Sequence, residues 1–411
     1  MHEAAGDARG AVAALGMDHR GGRDDGTREA QGGRQAAAGR RAVLTDPLHT
    51  VLVERLGCRY PIIQTAMGWV AEPQLVVASC EAGAFGFLGA AVMTPEETRT
   101  KIAEVRRRTN KPFGVNFHMF QPGAAEIVEL IIANKDQIRA VSFGRGPDKK
   151  MIARFKDVGI LCIPTVGAVK HAQKMAELGV DLVNVQGGEG GGHTGSVPTT
   201  VLLPQVLDAV TIPVIASGGF ADGRGLAAAL AYGAVGIAMG TRFLLTKESP
   251  VPLASKQRYL KTTTDQIVLT TKVDGLPQRM VRTPLLEKIE KSGPFGMWLR
   301  AFQSGLAMKR HTGASWQQLL SAARGMSVQG GLSLSQAMMA ACAPMLIRKA
   351  LVEGNPDEGV MATGVVGGRI TEIPTCNELV ERIVAEAHER LSALAPKLRA
   401  PAASRCPDAA C

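Results

Sequence analysis

The sequence predicts an α/β protein built on a closed (β/α)8 barrel, a TIM barrel, and three observations carry that prediction. Eight short apolar runs are separated by helical stretches such as Pro95–Arg108 and Gly225–Tyr232. Such alternation implies a parallel sheet buried on both faces. A unit made of a helix end, a glycine and an apolar run recurs around Gly83, Gly159, Gly179 and Gly233. Each of these glycines can take the left-handed conformation that stops a helix. Finally, eight strands over about 190 residues suit a closed barrel. An open dinucleotide-binding sheet would carry G-x-G-x-x-G after its first strand, and none follows here.

In order, the runs are Pro61–Gln64, Gly86–Leu88, Phe113–Asn116, Ala140–Phe143, Cys162–Val166, Leu182–Gln186, Pro213–Ala216 and Gly236–Met239. Residues 1–45 read as a disordered extension, rich in Gly, Ala, Arg and Asp and lacking the apolar core of a signal peptide. Residues 48–250 form the barrel. Residues 251–350 read as a helical insertion over its mouth, with Trp298, Trp316 and the core-filling Met338, Met339 and Met345. Residues 351–394 return to the barrel, ending in a helix over Cys376–Leu394. Residues 395–411, with three prolines and many alanines, read as a disordered tail.

The 411 residues include 47 Lys and Arg against 37 Asp and Glu, a net charge of +10. The basic residues are scattered, and three Trp and three Tyr offer few stacking platforms, which argues against nucleic acid. An anionic small molecule is the better match to the charge. No uncharged apolar run reaches the roughly 18 residues of a membrane span. The seven cysteines show no C-x-x-C pair or zinc spacing. They read as small core residues in a reducing cytoplasm, with no metal site.

In a barrel of this kind the chemistry lies where strands end. After the first run come Ala66, Met67 and Gly68; after the third, Asn116 and His118. The sixth run ends in a glycine-rich loop, Gln186 to Gly195, carrying Glu189, Gly191 and His193. The seventh is followed by Gly218 and Gly219, and the eighth by Gly240 and Thr241. Glycines at the last two positions let backbone N–H groups approach a phosphate. The flexible sixth loop makes sense if a large flat group lies against it. His193 is its one base with a pKa near working pH. Glu189 is either an orienting or a structural residue, and His118 is the reserve base. A serine hydrolase would need a G-x-S-x-G elbow, and metal hydrolysis an H-x-H or H-E-x-x-H, and neither motif occurs. A phosphate-bearing organic cofactor beside a histidine remains, and FMN has that shape.

From about Leu48 to Leu394 the chain resembles the nitronate monooxygenase family, formerly called 2-nitropropane dioxygenases. The resemblance rests on Pro61 to Gly68, Phe113-Gly114-Val115-Asn116, the glycine–histidine loop, Ser217-Gly218-Gly219-Phe220 and Ala238-Met239-Gly240-Thr241-Arg242-Phe243. It implies an FMN-dependent barrel enzyme. Ala66, Met67 and Gly68 would lie beside the flavin ring, and Asn116 and Gln186 would hydrogen-bond it. Gly191, Gly218, Gly219, Ala238, Met239, Gly240 and Thr241 would hold the ribityl phosphate. His193 would be the acid or base near the flavin N5. The chain departs from the family at Thr65-Ala66-Met67, where Ala-Pro-Met is frequent, and at Gly188-Glu189-Gly190-Gly191-Gly192-His193, where Glu-Ala-Gly-Gly-His is frequent.

The resemblance implies oxidation of alkyl nitronates with O2. Met67 to Ala71, the sixth loop and Lys256 to Leu260 look closest to an actinobacterial subgroup that includes a flavin oxidoreductase of steroid-ring CoA thioesters. That implies an alternative, a reductase or dehydrogenase of a CoA thioester or quinone, with NAD(P)H as a candidate donor. Arg145, Arg242, Lys256 and Arg258 are then candidate CoA phosphate contacts. A flavin-binding barrel without chemistry is the third reading. The expected partner is a small molecule, nitronate or CoA thioester, with no nucleic acid or membrane, and a homodimer is compatible with the sequence.

Overall fold

The computed structural model describes residues 46–119, 121–144, 149–292 and 334–399. The chain divides into two units, Met1–Thr45 and Asp46–Cys411, and every described residue belongs to the second. The expected disordered extension, Trp298, Trp316, Arg145 and the end of the tail lie outside the described residues.

The strands are β1 (Ile62–Gln64), β2 (Phe85–Gly89), β3 (Phe113–His118), β4 (Ile138–Gly144), β5 (Leu161–Cys162), β6 (Thr165–Val166), β7 (Val183–Gln186), β8 (Gly192–His193), β9 (Val214–Ser217), β10 (Ile237–Met239), β11 (Ile267–Thr270) and β12 (Gln278–Val281). The large sheet runs β5-β4-β3-β2-β1-β10-β9-β7-β6, with every pairing parallel. Its two ends, β5 and β6, are halves of one stave interrupted at Ile163-Pro164. Proline has no N–H to give to a ladder. The ladder is carried across the break by Ile163 N–H donating to Val141 O at 2.8 Å and Asn184 N–H to Pro164 O at 2.9 Å. One half binds β4 and the other β7, so the sheet closes as a TIM barrel with a stave at each of the eight runs.

The recurring glycines act as expected: Gly83, Gly159, Gly179 and Gly233 have φ of 90°, 82°, 84° and 103°. Inside the barrel, Ile63, Phe85, Phe87, Ala140, Ile163, Leu182, Ile215 and Ala238 pack together with Leu52 and Leu56. The last two come from the helix Val51–Leu56, whose apolar face plugs the end where strands begin. The larger apolar cluster fills the layer between strands and outer helices. Its cysteines are ordinary core residues: burial pushes the Cys80, Cys162 and Cys376 thiols up to about 12.

Two features differ from the sequence reading. Residues 251–350 are not helical throughout. Besides the helices Leu253–Leu260, Pro284–Glu290 and Leu334–Leu351, they contain the antiparallel ribbon β11–β12. The β-branched run in β11 and the turn glycine Gly275, at φ 84°, favour a hairpin there. Strand β12 also pairs with β8 in the glycine-rich loop, so it is the middle strand of three. The C-terminal helix also continues past Leu394, spanning Cys376–Arg399. Pro396 removes one donor, but Ala, Leu, Lys and Arg around it are strong helix formers. No helix among the described residues is long and apolar enough to cross a membrane.

Gly236 shows how tightly the plugged end is built. A Cβ there would lie 2.5 Å from both the Pro61 carbonyl oxygen and the Leu52 side chain. The strand backbone cannot retreat without breaking the β1–β10 pairing. Gly236→Ala is therefore expected to destabilise the fold by about 1–3 kcal/mol, read as a lower denaturation midpoint. An unchanged midpoint would contradict this packing.

Candidate active site at the mouth of the barrel

A cavity of about 390 Å³ opens where the barrel strands end, a size suited to a small organic ligand. Every residue singled out for cofactor binding lines it. Ala66, Met67 and Gly68 follow β1, Asn116 lies on β3, and Gln186 ends β7. Gly191 and His193 come from the glycine-rich loop, Gly218 and Gly219 follow β9, and Ala238, Met239, Gly240 and Thr241 run along and past β10. His118 does not line the cavity; its N–H donates to Gln121 Oε1 at 2.8 Å.

The loop from Gly187 to Gly195 is pinned at several points. Gly188 N–H donates to Val197 O at 2.7 Å, and Arg279 Nε and Nη2 donate to Gly188 O at 3.0 and 2.7 Å. Gln186 Nε2 donates to His193 O at 2.9 Å. Val365 N–H donates to Glu189 O at 2.9 Å. Glu189 ties the loop to the next helix: its Oε2 accepts from Thr199 N–H at 2.8 Å and Thr199 Oγ1 at 2.7 Å. That carboxylate therefore holds the start of the helix Thr199–Ala209.

The ribbon supplies a group that sequence reasoning missed. Asp274, in its turn, lies with Oδ2 2.7 Å from His193 Nε2. The Asp274 side chain is 11% exposed and that of His193 54%. Burial alone would raise the carboxyl's pKa. Hydrogen bonds from His193, Gln278 and the Leu276 N–H outweigh burial and hold it below the usual carboxylate range. An ionised Asp274 accepts from Nε2–H, which fixes the neutral imidazole tautomer and leaves Nδ1 as the lone-pair nitrogen.

Two features of the wall describe what it could bind. Gly218 and Gly219 have φ of 91° and 87°, backbone shapes that present successive N–H groups to an anion. Among the described residues, no protein acceptor takes a hydrogen bond from the N–H groups of Gly218, Gly219 or Gly240. Asn184 donates through Nδ2 to Thr165 Oγ1 at 3.0 Å, while its Oδ1 is buried without a partner. Asn184 lines the same cavity. Free N–H groups and an unpaired acceptor in one wall suit a ligand that carries both an anion and a ring N–H.

Two of the expected phosphate contacts, Arg242 and Lys256, are corrected. Arg242 is buried, its Nη2 donates to Leu245 O at 2.8 Å and Glu372 O at 3.0 Å, and burial lowers its pKa to about 10. Lys256 Nζ donates to Thr246 O at 2.7 Å and Ser249 O at 2.8 Å. Arg258 Nη2 donates to Arg282 O at 3.3 Å. Arg242 and Lys256 brace the chain beneath the mouth, because carbonyls left over by irregular backbone need donors.

A model of the family described as nitronate monooxygenase matches residues 49–386. The chain belongs to the nitronate monooxygenase family. It is an oxidoreductase of that flavoenzyme family. Two relatives are named "(3aS,4S,5R,7aS)-5-hydroxy-7a-methyl-1-oxo-octahydro-1H-indene-4-carboxyl-CoA dehydrogenase". The one from Mycobacterium tuberculosis is 48% identical over 345 residues, covering 83% of this chain and 96% of that protein. The one from Rhodococcus jostii is 46% identical over 347 residues, covering 84% and 98%. Among solved structures, FabK from Thermotoga maritima aligns with a TM-score of 0.69 at 33% identity, over 85% of this chain and 99% of that one.

Asp274 yields a pH test of the site's geometry. Its lowered pKa means that folding favours the carboxylate, so its stabilisation is present above the unfolded value near about 3.9. It is lost as pH falls through the lower folded value. Asp274→Asn is expected to cost about 1–3 kcal/mol near neutrality, with the gap to wild type closing below about pH 4. Denaturant melts at several pH values check this, and a gap independent of pH would contradict the assignment.

Proposed function

We propose that this chain is an FMN-dependent dehydrogenase of a CoA thioester whose acyl group is a fused alicyclic ring, with His193 as base. The observation that carries the reading is its identity of 46–48%, over nearly the whole length of both relatives, with proteins named for that reaction. The site chemistry agrees with it. Carbon α to a thioester carbonyl bears an acidic hydrogen, and its removal needs a base of pKa near working pH. His193 places an imidazole at the cavity, steadied by Asp274.

FMN suits the wall because it has a phosphate for the N–H groups of Gly218, Gly219 and Gly240 and a ring N–H for an acceptor such as Asn184 Oδ1. When bound, it would accept the hydride that leaves the carbon β to the thioester as the α-proton is lost, giving an α,β-unsaturated thioester, and no side chain here can take that hydride. Asn116 and Gln186 would orient the ring, and Ala66 to Gly68 would pack beside it. His193 would take the α-proton on Nδ1 while Nε2–H stays with Asp274. The charge then spreads over the Asp–His pair rather than resting on an isolated imidazolium.

A second reading keeps the same base but takes an alkyl nitronate with O2, as the family's description suggests. The thioester becomes a stabilised carbanion when its α-proton is removed and the nitronate already is one, so the apparatus is shared and the cavity must choose. Anaerobic stopped-flow absorbance of the flavin separates the readings. Mixing with the hydroxy-oxo-octahydroindene-carboxyl-CoA thioester is expected to bleach the flavin quickly, with slower bleaching by propyl nitronate. His193→Asn is expected to slow thioester bleaching by about 10²–10⁴-fold with flavin content unchanged. Fast bleaching by nitronate and none by thioester would contradict the proposal. A nicotinamide arm, NADH and NADPH mixed separately, tests whether either also reduces the flavin.

A further inference from the structure

Among the described residues, one non-glycine residue has a positive φ: Trp69, at 61°. It occupies the third position of the turn Met67-Gly68-Trp69-Val70, closed by Val70 N–H donating to Met67 O at 3.1 Å. That position of a turn of type II geometry is ordinarily Gly or Asn. A bulky aromatic side chain there is strained. The turn has no freedom to relax. Ala71 N–H also donates to Met67 O at 2.9 Å, and Gly89 N–H donates to Ala71 O at 3.0 Å. From the other side, a Cβ on Gly89 would lie 2.7 Å from Met67 O, so β2 already presses on the turn. Gly68 has its own reason to be glycine, since a Cβ there would meet the Val92 methyls at 3.1 and 3.2 Å. Position 69 has no such reason to be tryptophan for the fold's sake: glycine would remove the strain.

The indole belongs to the cavity wall and is only half-buried. Val92, Phe220, Ile347 and Leu351 add apolar surface to the same cavity, the last two from the helix over the mouth. We infer that Trp69 is a specificity-determining residue whose indole face packs on the fused alicyclic ring of the acyl group. This rests on the thioester reading above. An aromatic face is a large, rigid apolar surface, and C–H bonds of an alicyclic ring match its negative π-face. A nitronate or straight-chain acyl group presents little to it. Backbone strain kept at a ligand wall is the pattern expected when the contact serves binding rather than folding.

The test uses the FMN-loaded full chain and Trp69→Gly, with Trp69→Phe as the conservative partner. The glycine variant is expected to raise KM for the ring thioester about tenfold or more, with kcat little changed. Its thermal midpoint and FMN content should not fall. Binding of ringless butyryl-CoA should change less than about twofold. Trp69→Phe keeps an aromatic face and is expected to hold KM within about threefold. An unchanged KM for the ring thioester in Trp69→Gly overturns the inference, as does a lower thermal midpoint with equal losses for ring and ringless thioesters. A wild-type protein inert to the ring thioester overturns the functional reading, and this inference with it. Wild-type turnover with an unmoved variant KM overturns this inference alone.

Discussion

The site depends on one constraint: the glycine-rich loop that carries His193 is held from outside the barrel. Its glycines give up much conformational entropy when they order. The ribbon β11–β12 offsets that cost by pairing Gln278 and Arg279 with His193 and Gly192. Arg279 then reaches back to Gly188 O, and Asp274 reaches His193 Nε2. The same element therefore shapes the backbone and sets the proton on the imidazole. Without it, the barrel would still close, but the His193 imidazole would have no fixed orientation.

The barrel supplies the remaining geometry by its topology. Parallel strands bring all their C-terminal ends to one mouth, so residues far apart in sequence meet in one wall. The cradle at Gly218, Gly219 and Gly240 arises because β9 and β10 are neighbours. The broken stave at Ile163-Pro164 matters for the same reason. It keeps β7, which carries Asn184 and Gln186, in ladder with β6 and β9. Cavity-lining residues thus sit on rigid strands and His193 on a clamped loop, a division suited to holding a cofactor while admitting varied substrates.

Much of this was legible in the sequence. Apolar runs after left-handed glycines have a physical cause, so eight staves could be placed to within a few residues. Glycines after the seventh and eighth runs pointed to the cradle. Asp274 was not legible, because it is 81 positions from His193 and no local pattern ties a carboxylate in a hairpin turn to a distant loop. Asn184 falls inside the sixth run, and sequence does not show which buried amide lacks a partner. Arg242 and Lys256 were misread as phosphate contacts, because a positive charge in sequence carries no direction. Their backbone carbonyl partners are products of tertiary folding. Trp69 shows the reverse case: its residue type was visible beside Gly68, but its backbone conformation was not.

On the proposed reading, this mouth holds FMN through glycine N–H groups, with the Asp274–His193 pair beside it. The most direct measurement is the visible spectrum of the purified protein, followed by heat release and identification of any bound flavin. Stoichiometric FMN is expected in the wild type, with its loss in Gly219→Val while the fold stays intact by circular dichroism. Absence of flavin from the wild type, persisting after reconstitution with FMN, would contradict it.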